Sequence, residues 1–118
     1  MLAKDELGKM GEQLAEQYLL EKGFEILFRN WRTFRYELDL IAVKNNRVHF
    51  VEVKTRKTTE FGLPEEAVDE IKIGRLVEAG EDFLYKHPHF TRVQFDVLSI
   101  CILPNEEVEY FLIEDVYL

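Results

Sequence analysis

Asn45-Asn46 is the feature that most narrows what this chain can fold into. The pair is turn-forming and separates two strand-like runs, Tyr36–Val43 (YELDLIAV) and Val48–Lys54. A two-residue hairpin turn at these positions sets Lys44 opposite Arg47, and every cross-strand couple then sums to 91. Asp39 falls directly opposite Glu52, and Glu37 opposite Lys54. Period-two alternation would put all four side chains on one face of the sheet. Carboxylates opposed on a ladder, with Cβ atoms about 5 Å apart, repel each other. A divalent cation between them removes that penalty.

A lone Glu-x-Lys is a weak signal, because the solvent face of a strand often reads that way. Three features strengthen Glu52-x-Lys54: Val51 and Val53 anchor the opposite face, Phe50 shares the charged face, and Asp39 arrives in register. Carboxylate oxygens are the hard ligands that Mg2+ or Mn2+ takes together with waters and substrate phosphates. Such an ion polarises a phosphoryl oxygen and acidifies a water. Lys54, one pleat further on, is placed to position that water or to stabilise developing charge. Glu12 is a third candidate carboxylate, since Gly11 allows a close helix–sheet approach; the plainer alternative is a solvated helix glutamate. Glu37 either orients Lys54 or simply pairs with it.

The net charge of −8 speaks against a polyanionic partner until its distribution is considered. Residues 29–57 carry eight basic and three acidic side chains, a balance of +5, against −13 for the remainder. Local field governs binding to a polyanion. Arg29, Arg32 and Arg35 alternate with Trp31 and Phe34 in the manner of a phosphate clamp with stacking faces. With Arg56 and Lys57 they form the candidate nucleic-acid contact set. The alternative places Trp31 and Phe34 in the core. His49, His87 and His89 show no metal-ligand spacing.

The 118 residues are expected to form a single domain spanning the whole chain. The one cysteine, Cys101, lies in an apolar run and reads as a buried packing residue in a reducing compartment. The N-terminus has no signal-peptide core, and no run approaches a membrane span, so a cytoplasmic protein without membrane contact is expected. Apolar spacing predicts a helix over Asp5–Lys22, closed by Gly23. Strands follow at Phe24–Trp31, Tyr36–Val43 and Arg47–Lys54, then a polar loop over Thr55–Gly62. A second helix from Pro64 to about Tyr85 leads to strands at Arg92–Leu103 and Glu107–Ile113. The order α-β-β-β-α-β-β implies an α/β fold, a mixed sheet flanked by helices.

Taken together, Gly11-Glu12-x-x-Ala15, Arg29-Asn30-Trp31-Arg32, Glu37-Leu38-Asp39-Leu40-Ile41, Phe50-Val51-Glu52-Val53-Lys54-Thr55-Arg56, Phe61-Gly62, Lys72 and Phe95-Asp96-Val97 resemble the YraN family of small bacterial proteins. The resemblance implies a restriction-endonuclease-like fold and the PD-(D/E)xK nuclease pattern, with Asp39, Glu52 and Lys54 at its positions. Archaeal Holliday-junction resolvases look similar in arrangement, and their helix glutamate matches Glu12. Two residues depart from the family pattern: Tyr36 stands where a glycine is usual, and Gln94 where an arginine is usual. Two functions are therefore expected to compete. One is a Mg2+- or Mn2+-dependent nuclease acting on DNA, branched or structured DNA included. The other is a non-catalytic module binding nucleic acid or a protein, with oligomerisation or a partner supplying what the acidic remainder lacks.

Overall fold

The computed structural model describes residues 4–33, 36–57 and 73–117. Its elements are α1 (Lys4–Glu21), β1 (Glu25–Arg32), β2 (Glu37–Lys44), β3 (Arg47–Arg56), α2 (Ile73–Lys86), β4 (Val93–Ile102) and β5 (Val108–Ile113). The α/β order is the one expected. Thr55 and Arg56, assigned above to a loop, instead continue β3. The expected start of the second helix, at 64–72, lies outside the described residues, as do Phe61-Gly62 and Lys72.

A Schellman motif ends α1. Gly23 takes φ 92, its N–H donates to Leu20 O at 3.1 Å, and Phe24 N–H donates to Leu19 O at 2.9 Å. Phe24 and Leu19 then share one hydrophobic cluster, so the chain leaves the helix already anchored to the core.

The five strands lie in the order β1-β2-β3-β4-β5. Only β3 and β4 run parallel, and the connection between them carries α2. One face of the sheet packs on α1 through Ala15, Leu19, Leu40, Ala42, Val51 and Leu98. The other packs on α2 through Ile41, Phe50, Leu76, Ala79, Phe83 and Phe95. Buried side chains of this size contribute about 1.5–3 kcal/mol each. Covered on both faces, β4 is buried over most of its length, Cys101 included.

Asn45 and Asn46 adopt φ 51 and 63, the left-handed pair that a type I′ hairpin turn requires. Five couples, from Lys44↔Arg47 to Leu40↔Val51, sum to 91 as the turn chemistry dictates. Strict alternation fails on β2, however. Leu38 packs on the α2 side while Leu40, two residues on, packs on the α1 side. Opposite the break on β1, Arg29↔Leu40 and Trp31↔Leu38 flank Asn30, whose φ is 49. The expectation that regular alternation alone would aim Asp39 is thus corrected, for Asp39 sits at the break.

Candidate metal centre

The β2–β3 ladder stops at Leu40↔Val51, and past that point side chains bridge the two strands. Asp39 N–H donates to Glu52 Oε1 at 3.4 Å, and Val53 N–H donates to Asp39 Oδ2 at 2.8 Å. The two carboxylates therefore fill the opening where the strands part. Burial pushes Glu52 up to about 9, and the Asp39 charge and a carboxyl–carboxyl hydrogen bond add to the shift. Burial also raises Asp39, against the lowering pull of the Val53 amide. Lys54 lowers both, so its charge acts on the pair directly. Without a cation, burial and the neighbouring Asp39 charge favour the protonated form of Glu52. Two crowded hard-oxygen donors that charge reluctantly suit a divalent ion such as Mg2+ or Mn2+.

Glu12 lies alongside, half-buried in a recess of about 170 Å3 that Asp39, Asn30 and Arg29 also line. Its carboxyl is raised by burial and by the Asp39 charge, while Asn30 lowers it. With its amide nitrogen turned toward the carboxylates, Asn30 donates to Glu37 Oε1 at 3.0 Å and to Glu12 Oε1 at 3.2 Å. Glu12 does not close into a tight ligand trio with Asp39 and Glu52. Among the described residues, the trio whose ligand atoms all lie within 4.8 Å is a different one, His49, Asp96 and Glu114. Glu12 thus stands at a distance from the Asp39–Glu52 pair that keeps the three from forming such a tight cluster.

Gly11 sets that distance. A Cβ there would strike the Thr55 side chain, 2.9 Å from its Cβ, so α1 rests its backbone directly on β3. Gly11→Ala is expected to cost about 1–3 kcal/mol through overpacking, read by urea denaturation, and to move Glu12 away from Asp39. An unchanged midpoint would show that Thr55 yields freely.

The cationic residues are placed less uniformly. Glu37, expected beside Lys54, is gripped from β1, where its cross-strand partner Arg32 forms an ion pair with it, Nε to Oε2 at 3.0 Å. Arg29 is exposed and held by Glu16, with Nε to Oε2 at 2.8 Å. Arg56 ends β3 half-buried, Lys57 beyond it is exposed, and Arg35 lies outside the described residues. Trp31 packs edge-on against Phe83 at 5.4 Å, under Lys86, which is the core alternative. Phe34 lies outside the described residues.

Three residues escaped the sequence reading. Asn30 tethers Glu12 to Glu37, and only its tolerance of positive φ hinted at a special position. His49 and Asp96 meet at 2.7 Å, a contact 47 residues apart that depends on the parallel pairing of β3 with β4.

A family model described as "Uncharacterised protein family UPF0102" matches residues 11–100. A UPF0102 protein of Syntrophomonas wolfei is 51% identical over 98 residues, covering 82% of this chain and 85% of that one. One from Bacteroides thetaiotaomicron is 45% identical over 100 residues, covering 85% and 83%. Another, from Rhodococcus opacus, is 43% identical over 107 residues, covering 88% and 91%. The family match spans both strands of the hairpin and includes Glu12.

Proposed function

The chain belongs to the UPF0102 family, the YraN proteins, and we propose that it is a metal-dependent nuclease hydrolysing phosphodiesters in DNA. The family description carries no activity, so the site carries the argument. The observation that supports the reading is the meeting of Asp39 and Glu52 where β2 and β3 part, with the Lys54 charge acting on both. A domain that only binds has no need of two acids crowded until they share a proton.

Each residue then has a task. Asp39 and Glu52 would hold the Mg2+ or Mn2+, with Glu12 assisting. When bound, the ion supplies Lewis-acid polarisation of the scissile phosphate and a more acidic water. Lys54 orients the attacking water and offsets negative charge as the phosphate becomes pentacovalent. Asn30 and Glu37 steady Glu12 and the entrance. Arg29, Arg32, Arg56 and Lys57 supply the cationic approach, and the first two exchange Glu16 and Glu37 for phosphate oxygens when the strand docks.

A binding module on the same fold is favoured by one feature, the balance of −13 outside residues 29–57. Purified protein on a panel of linear, nicked, flapped and four-way DNA separates the two readings. Cleavage that appears with Mg2+ or Mn2+ and stops with chelator supports the nuclease; binding without cutting under every condition rejects it. Arg32→Ala is expected to weaken DNA binding uniformly across sequences and to lower the salt slope by about one ion. An unchanged slope would place the interface elsewhere.

No helix among the described residues is long and apolar enough to cross a membrane. Cytoplasmic placement and self-association remain proposals that fit a DNA substrate.

A further inference from the structure

At the end of the sheet away from the carboxylates lies a pocket of about 420 Å3, whose walls include Lys22, Lys44, Arg47, Arg92, His49 and Glu114. It collects residues from the C-terminal end of α1, the β2–β3 turn, the start of β4 and the segment after β5. His49 to Glu52 is three residues along β3, about 10 Å.

A buried dyad forms its floor. His49 is 5% exposed and Asp96 is fully buried. Asp96 Oδ2 meets His49 Nδ1 at 2.7 Å, while its Oδ1 accepts from Gln94 Nε2 at 2.8 Å and from Asp115 N–H at 2.9 Å. With both oxygens taken by donors, Asp96 fixes Nδ1 as a protonated nitrogen and leaves Nε2 as the free one. Among the described residues Nε2 has no hydrogen-bond partner, and the interior seals no unsatisfied side-chain atom, so Nε2 is open to the pocket.

The charge around it is unusual for this chain. With a net charge of −8, the protein still gathers four cations at one cavity. Lys22 and Lys44 lie over the Tyr18 and Phe24 rings, at 5.4 and 5.1 Å from the centroids. None of the four has an ion-pair partner among the described residues. Opposing them is Glu114, whose Oε1 accepts from Gln94 at 3.3 Å. The His49, Asp96 and Glu114 ligand atoms lie within 4.8 Å of one another, which raises a cation as the occupant. A cation would have to enter a field of four positive charges. An anion would be drawn by that field.

We infer that this pocket binds a phosphate monoester group, with His49 Nε2 and the four cations as its ligands. A monoester suits the dyad because it offers both a charged oxygen and an ionisable hydroxyl. Nε2 accepts from the hydroxyl when the ring is neutral and donates to the oxygen when the ring is charged. A diester lacks that hydroxyl. The group could reach the pocket on a free nucleotide or on the phosphorylated end of a strand. The pocket stands independently of the nuclease reading, since none of its residues belongs to the carboxylate pair.

The test follows the His49 ring nitrogens by NMR in the presence of chelator, which silences the other site. Inorganic phosphate, a deoxynucleoside 5′-monophosphate, and short oligonucleotides with a 5′-phosphate or 5′-hydroxyl are titrated at matched ionic strength. Phosphate is expected to move the Nε2 resonance saturably, with no effect of chloride. Arg47→Ala with Arg92→Ala, and separately His49→Gln, should each weaken binding about tenfold or more, while retaining the wild-type amide spectrum away from the pocket. A stronger response to the 5′-phosphorylated strand identifies a strand end as the source, and a stronger response to the mononucleotide identifies a free nucleotide. An absent shift, a shift that chloride reproduces, or a His49 response only to added Zn2+ or Mn2+ after chelator removal would overturn the assignment.

Discussion

Lys54→Ala is expected to slow metal-dependent DNA cleavage by about 100- to 10,000-fold, the range for losing a positioned proton-handling or charge-stabilising group. Asp39→Asn should remove cleavage to the background of the assay, because one of two anionic ligands is gone. The choice of asparagine matters. Its carbonyl still accepts the Val53 N–H that Asp39 holds at 2.8 Å, so the fold keeps its strand junction. Asp39→Ala would strand that amide and cost about 1–3 kcal/mol in addition. Single-turnover cleavage and thermal melting on the same preparations separate the two effects. Wild type and both variants cutting at one rate would assign the cleavage to a contaminant and reject the site.

Metal-free protein is expected to lose stability as pH rises from about 5 toward 9. Glu52 titrates near 4.5 in the unfolded chain and at about 9 when folded. Between those values the folded protein keeps a proton that the unfolded chain has released. A raised carboxyl therefore contributes stability that is fully present below the unfolded value and is lost as pH climbs through the folded one. The slope reaches at most about 1.4 kcal/mol per pH unit. Glu52→Gln should flatten it, as urea denaturation at pH 5, 7 and 9 would read. Divalent ions should act in the opposite sense, since binding expels the shared proton and affinity grows up to about tenfold per pH unit. A flat wild-type profile would mean that the two acids do not share a proton.

Much of this architecture was legible before any coordinates. The Asn45-Asn46 turn determined the hairpin register, because left-handed pairs fit only one kind of two-residue connection. Helix spacing placed α1 within one residue at each end. What escaped the sequence were consequences of contacts distant along the chain. The break in alternation at Asp39 lies opposite a positive φ at Asn30, a residue on another strand, and no periodicity on β2 encodes it. Glu37 was assigned to Lys54 from hairpin geometry alone, whereas the β1 pairing adds Arg32 as its partner. His49 read as an isolated histidine because its partner Asp96 arrives only when β4 docks in parallel.

The two polar centres share β3, yet they close across very different lengths of chain. Asp39 and Glu52 meet across 13 residues through a two-residue turn, and hairpins form in about 1–10 μs. His49 and Asp96 wait for a 47-residue loop to close, and non-local pairing of that kind is slow. During refolding the hairpin therefore brings Asp39 and Glu52 near each other before β4 docks, at the stage when such a structure is marginal in water. Under the proposed metal reading, a divalent ion between Asp39 and Glu52 at that moment would hold the two strands in register for the arriving β4, and so act as a folding clamp before it serves chemistry.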